Sequence, residues 1–237
     1  MRIVLTLLCS LTCLTLAAQQ PPHIELMLGG GAAKAHFRYG GSDPTLQHVR
    51  DANRNHTRTA TQSAAGITYL RYLTERTALR TGLQISSLGQ RTVMDYPATP
   101  EDLLFGPEPG TRFPQRITLT RHYRYMTVPV VLRREGGPGR LVPFVEAGLQ
   151  PGYYLHTRLR TRDDRGTSET TARRESDMRN FRLGALIAVG ARYAVVGNWH
   201  VVARPVLHYQ LLKTHRGSVA EHPYGLRLEV GLMHPLD

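Results

Sequence analysis

The stretch Phe181-Arg182-Leu183-Gly184-Ala185-Leu186-Ile187-Ala188-Val189-Gly190-Ala191-Arg192-Tyr193 decides how this chain is read. Its odd positions are Phe, Leu, Ala, Ile, Val, Ala and Tyr, whereas Arg182, Gly184, Gly190 and Arg192 fall on even positions. Charge confined to one parity of a two-residue period marks a strand with two unlike faces. The apolar face is longer than an ordinary strand needs and carries an aromatic at each end, as a strand crossing a bilayer would.

Seven further segments repeat the pattern. Segment 23–34 sets Ile24, Leu26 and Leu28 against Glu25, Met27 and Gly29, and 64–72 sets Ala65, Ile67 and Tyr69 against Gly66, Thr68 and Leu70. Segment 77–88 sets Leu79, Leu83 and Ile85 against Arg80, Gly82, Gln84 and Ser86. Segment 141–155 sets Leu141, Pro143, Val145, Ala147, Leu149 and Tyr153 against Glu146, Gly148, Gln150 and Gly152. Segment 199–211 sets Trp199, Val201, Ala203, Leu207 and Tyr209 against His200, Arg204, His208 and Gln210. Segment 223–233 sets Tyr224, Leu226, Leu228, Val230 and Leu232 against Gly225, Arg227, Glu229 and Gly231. Only 116–133 is ambiguous, being apolar on both parities around Val128-Pro129-Val130-Val131. There Arg121, Tyr123, Thr127 and Arg133 on one parity favour Met126, Val128, Val130 and Leu132 as the outward set.

The connections carry a second signal. They span 35–63, 73–76, 89–115, 134–140, 156–180, 194–198 and 212–222, so long and short alternate until the last, which is medium. Outer-membrane barrels have short periplasmic turns and long outer loops, a rule that a soluble sandwich has no reason to follow. Gly136-Gly137-Pro138-Gly139 and Gly197-Asn198 supply turn chemistry at two of the short connections.

Composition narrows the choice. The 237 residues hold 30 Lys+Arg, of which only Lys34 and Lys213 are lysine, against 18 Asp+Glu, for a net charge of +12. Such a balance suits nucleic acid or anionic lipid head groups alike, since arginine binds either phosphate bidentately. Mean hydropathy of −0.30 is too polar for a helical membrane bundle.

The first residues decide between the two partners. Arg2, the apolar run from Ile3 to Leu16, and Ala17-Ala18 read as a secretory signal peptide cleaved after Ala18. Residues 1–18 are then the leader and 19–237 the barrel domain. The chain leaves the cytoplasm, which excludes nucleic acid. Cys9 and Cys13 lie in the leader, so the mature chain has no disulfide and no thiol for catalysis or zinc.

The expected fold is all-β: an eight-stranded, closed, antiparallel transmembrane β-barrel preceded by a signal peptide. Its inward parity would carry Glu25, Arg80, Glu146, Arg182, Arg192, Arg204, Arg227 and Glu229. Eight strands enclose a space that side chains fill, so these charges are expected to pair across the lumen instead of lining a channel. An arginine turned to lipid would cost ~2 to 4 kcal/mol at the midplane. Tyr69, Phe181, Tyr193, Trp199, Tyr209 and Tyr224 fall near strand ends on the outward parity, where an interfacial girdle belongs. In 156–180, Arg158, Arg160, Arg162, Arg173 and Arg174 either contact lipopolysaccharide phosphates or belong to a solvated loop of mixed charge.

Nothing in the sequence points to catalysis, a cofactor or a metal site. The eleven histidines form no ligand motif. His200 and His208 share a strand face but stand eight residues apart, about 26 Å at strand rise, too far for one metal. Gly29-Gly30-Gly31 lacks the Lys-Ser/Thr of a phosphate loop and is expected to ease a kink or a loop entry. Asn55-His56-Thr57 matches a glycosylation triplet by composition alone.

The stretch Tyr125-Met126-Thr127-Val128-Pro129-Val130-Val131-Leu132-Arg133, followed by the Gly-rich turn and Val142-Pro143-Phe144-Val145-Glu146-Ala147-Gly148-Leu149-Gln150-Pro151-Gly152-Tyr153-Tyr154-Leu155, resembles the central hairpin of the PorT-like outer membrane β-barrel family of Bacteroidota. Thr81–Gly89 and Gly225–Leu232 are similar to that family's preceding and closing strands. The resemblance implies a cell-envelope location and a barrel. Activity it leaves open, although a part in protein secretion is known in the family.

The expectation is therefore a monomeric outer membrane barrel with a structural or surface-interaction role. Its partners would be outer membrane lipids, lipopolysaccharide, periplasmic chaperones and the barrel assembly machinery. Two alternatives differ in class. A lipid-modifying hydrolase would change lipid A mass spectra, and a soluble lipocalin-like carrier would turn its apolar parity inward and need no detergent.

Overall fold

Alternation of β-favouring residues over long stretches, with glycine and proline gathered in the connections, makes strands the local preference nearly everywhere. The computed structural model describes residues 21–39, 57–95, 116–163, 166, 168–176, 178–215 and 219–236. The leader and the Asn55-His56-Thr57 triplet lie outside these residues, apart from the strand assignment of Thr57.

Eleven strands build the molecule: β1 (His23–Tyr39), β2 (Thr57–Arg58), β3 (Ala60–Tyr72), β4 (Thr77–Asp95), β5 (Arg116–Thr127), β6 (Val130–Glu135), β7 (Leu141–Asp163), β8 (Ser168–Arg173), β9 (Phe181–Ala194), β10 (His200–Gln210) and β11 (Val219–Pro235). Each wall pairs antiparallel with the next, in the order β1, β3, β4, β5 with β6, β7, β9, β10 and β11. The ring closes where β1 meets β11, from His23 opposite Pro235 to Tyr39 opposite Val219. An eight-walled antiparallel barrel results, with no free edge along these walls.

The fourth wall is two strands. Pro129 lacks the N–H that a continuous strand would donate, and pairing to β4 passes from β5 to β6 around it. Parity survives the break, because Met126, Val128, Val130 and Leu132 are all exposed while Tyr123, Thr127 and Arg133 are buried.

The strands run further than the apolar alternation suggested. β7 continues through 156–163 and folds back as β8, so much of the expected loop 156–180 is a hairpin. β4 and β5 likewise pair out to Asp95 and Arg116. In these extensions exposed positions are polar, as at Arg124, Arg158, Arg160 and Arg162, so the apolar parity that reveals a strand in sequence fades there. The triplet Gly29-Gly30-Gly31 is not a loop entry: it lies inside β1 and is paired on both sides. A Cβ on Gly29 would stand 2.9 Å from Glu229 Cγ, so glycine leaves room for an inward carboxylate of the neighbouring strand.

The three short turns and the two ends of the described chain, near Pro22 and Leu236, gather at one end of the barrel. Glu135 N–H donates to Arg76 O at 2.8 Å, Ala194 N–H to Arg140 O at 2.8 Å and Leu236 N–H to Pro22 O at 2.7 Å, tying neighbouring walls together there.

Candidate functional site

The interior is a filled column whose middle is ionic. Glu146 on β7 accepts from Arg80 Nη2 at 2.8 Å and from Arg133 Nε at 2.7 Å. Arg204 on β10 bridges Glu25 at 2.9 Å and Glu229 at 2.7 Å, and Glu229 also takes Arg227 at 2.7 Å. Arg204 Nη1 lies 3.7 Å from Glu146 Oε1, which links the two groups into one lattice. Each of these side chains comes from a different wall or register position and points inward because its parity does.

Arg80, Arg133, Arg204, Glu25, Glu146 and Glu229 are all at most 2% exposed. Charges so far from water persist only when paired and hydrogen-bonded, since the desolvation of each costs several kcal/mol. Thr68 Oγ1 donates to Glu25 at 3.3 Å, and Arg133 lies over the Phe144 ring at 4.1 Å, so neutral groups help to satisfy the lattice.

Towards the turn end, Arg192 pairs with Glu135 at 2.9 Å, and Tyr72 donates to the same carboxylate at 3.0 Å. Towards the loop end, Gln150 donates to Gln84 and Thr127, each at 3.0 Å. Above them Arg182 lies 4.2 Å from the Tyr125 ring centroid and donates to Ser86 at 3.2 Å. Tyr123, Tyr125, Tyr154, Leu88 and Met178 close the column at that end. Seven of the eight expected lumen charges thus join ion pairs, while Arg182 is held by a hydroxyl and an aromatic face.

Two members escaped the sequence reading. The parity of 116–133 turns Arg133 inward without marking it as a paired charge, and Glu135 falls in the expected turn 134–140. Glu135 ends β6 and is 5% exposed. Continuing the inward parity of Arg133 by two residues would have found it.

Outside, the apolar parity is exposed: Leu28 (69%), Leu132 (52%), Ile187 (61%) and Leu228 (54%) sit on four separate walls. Aromatics bound this surface. Trp199 packs on His234 at 4.5 Å near the turn end, with Tyr193 next to it opposite Val201. Tyr209 pairs with Tyr224, and Tyr153 with Phe181, near the loop end. Tyr224 and His234 are ten residues apart on β11, which at a rise of ~3.3 Å and a tilt of ~40° is about 25 Å.

The five arginines expected to contact lipopolysaccharide do not form one patch. Arg158, Arg160 and Arg162 share one face of the β7–β8 hairpin, whereas Arg173, opposite Thr157, is on the other. Arg174 folds against the wall, donating to Tyr153 Oη at 2.9 Å and to Asn180 at 3.0 Å. Among the described residues, no three His, Cys, Asp or Glu side chains are placed to hold a metal ion.

No family model matches the chain, and no curated protein sequence does. Among solved structures, Neisserial surface protein A is similar at 13% identity and a TM-score of 0.42, covering 89% of this chain and 97% of that one. The outer membrane protein OprG from Pseudomonas aeruginosa is similar at 7% identity and a TM-score of 0.46, covering 93% and 98%. The outer membrane protease OmpT from Escherichia coli is similar at 10% identity and a TM-score of 0.42, covering 93% and 98%.

Proposed function

We propose that this chain is an integral β-barrel of the bacterial outer membrane, exported by its leader, with a structural or surface-interaction role and no chemistry of its own. One observation carries the reading: a closed barrel exposes its apolar parity all round, with Trp199 and Tyr193 towards the turn end and Tyr153, Phe181, Tyr209 and Tyr224 towards the loop end. A soluble protein would gain nothing by displaying that much contiguous apolar surface. The carrier alternative needs the apolar parity inward around a ligand, and here the interior holds an arginine–glutamate lattice instead.

The filled lumen favours a scaffold over a pore. The short turns then face the periplasm and the extended strands stand outside the cell, the barrel being a monomer assembled by periplasmic chaperones and the barrel insertion machinery. Kinship with the PorT-like family is part of this reading and rests on the sequence resemblance of 125–133 and 142–155. Heat-dependent gel mobility tests it: a closed barrel extracted from membranes migrates faster in SDS before boiling than after, and equal migration at all temperatures overturns the proposal.

A further inference from the structure

One sector of the outer wall differs from the rest. On β1, β3 and β4 the outward positions that follow Leu28, Ala65 and Ile85 towards the loop end are small, namely Gly30, Ser63 and Ser87, and a concavity of about 1250 Å³ opens over them. Its floor towards the turn end is aliphatic, formed by Leu28, Ala65, Ile85, Leu228 and Val230. A second hollow of about 590 Å³ shares Leu28, Ala65 and Val230 and continues past Leu26 and Ile67 to Val201 and Leu232. Together they make an apolar trough along the part of the barrel that faces acyl chains.

The upper rim is basic. Where the apolar band ends beyond Ile85 and Met126, outward positions become His122 and Arg124 on β5, and Arg158 and Arg160 on β7. Ser168 and Thr170 of β8 complete the rim, and Arg160 donates to Ser168 at 3.2 Å, which holds its guanidinium over the hollow. Among the described residues, no carboxylate lines this concavity. Burial and the adjacent Arg158 and Arg124 lower the His122 imidazole from its ordinary value, so near neutral pH the arginines carry the positive charge.

We propose that this wall docks a phosphate-bearing outer-leaflet lipid, lipopolysaccharide, with its phosphates on Arg124, Arg158 and Arg160 and its acyl chains in the trough. Charge complementarity and depth carry the assignment. Guanidiniums at the edge of an apolar band meet phosphates at the level where head groups lie, and arginine binds them bidentately. The aliphatic trough begins directly beneath, so one amphiphile satisfies both parts. The proposal rests on the reading of the chain as an outer membrane barrel, and it replaces a diffuse loop contact with a defined site that includes Arg124 and excludes Arg173 and Arg174.

The test uses the full chain in phosphatidylcholine nanodiscs carrying a few per cent of bisphosphorylated lipid A, read by native mass spectrometry as the lipid A retained per barrel. The expected result is preferential retention of lipid A over its dephosphorylated form. Arg124→Gln and Arg158→Gln are each expected to weaken binding about fivefold, and the pair about twenty-five-fold. Ala65→Phe, which fills the trough and leaves the charges, is also expected to weaken it. Equal binding of the dephosphorylated lipid, or stronger binding of phosphatidylglycerol, overturns the proposal. Heat-dependent mobility of the same samples separates the two failures: folded barrels without the preference sink only the docking site, whereas chains that never become heat-modifiable sink the barrel reading with it.

Discussion

Glu146 faces three guanidiniums, Arg80 at 2.8 Å, Arg133 at 2.7 Å and Arg204 at 3.7 Å, in a space closed to water. Removing one partner of such a cluster leaves charge buried without compensation, which costs more than the pair itself contributes. Glu146→Gln is therefore expected to lower unfolding free energy by about 3–5 kcal/mol, measured by urea titration in lipid vesicles. Arg80→Met combined with Glu146→Gln should cost less than the sum of the separate losses, since the second substitution removes the charge stranded by the first. Strict additivity would mean that the two side chains are not coupled. The identity of these residues as inward was legible from parity alone. Which carboxylate meets which guanidinium was not, because Arg80 and Glu146 are on walls separated by the β5–β6 wall and meet only across the lumen.

Single strands carry the depth axis. On β9 the outward residues run from Phe181 at the loop-end belt through Ile187 to Tyr193 at the turn-end belt. Ile187 stands midway, so Ile187→Arg is expected to destabilise the barrel by about 2–4 kcal/mol, and Phe181→Arg, near the interface, by about 0–1 kcal/mol beyond its lost packing. The comparison is made by denaturant unfolding in vesicles of one thickness. Equal costs at the two positions would show that no bilayer midplane crosses β9 at Ile187. Strand identity was readable wherever lipid on one side and lumen on the other impose unlike faces. It faded at the outer parts of β4, β5 and β7, where 23 residues of β7 far exceed what a bilayer requires and exposed positions turn polar.

For the molecule as a whole, the filled column predicts silence. Eight walls leave a lumen that Arg204, Arg133, Tyr72, Tyr123 and Tyr154 occupy at no more than 1% exposure. The purified barrel is expected to give no stepwise conductance in a planar bilayer under conditions where a porin conducts, while still protecting its strands from added protease. Steady ion flow through the unmodified chain would contradict the packed interior. The long extensions of β4, β5 and β7 also place the mass of the protein outside the bilayer on one side, so cleavage by protease added to intact cells should fall in the loops and not at 73–76, 136–140 or 195–199.

Sequence alone determined the faces of seven walls, favoured without settling that of the fourth, and gave the alternation of long and short connections and most of the charged positions within. Each follows from a local period or a local length, which the chain carries irrespective of its neighbours. Closure of β1 on β11, the union of Glu25, Glu146 and Glu229 around Arg204, and the meeting of His122, Arg124, Arg158 and Arg160 above a trough on β1 and β3 were decided by the tertiary structure. Those depend on stagger and curvature around the ring, quantities set by all eight walls together and written in no single segment.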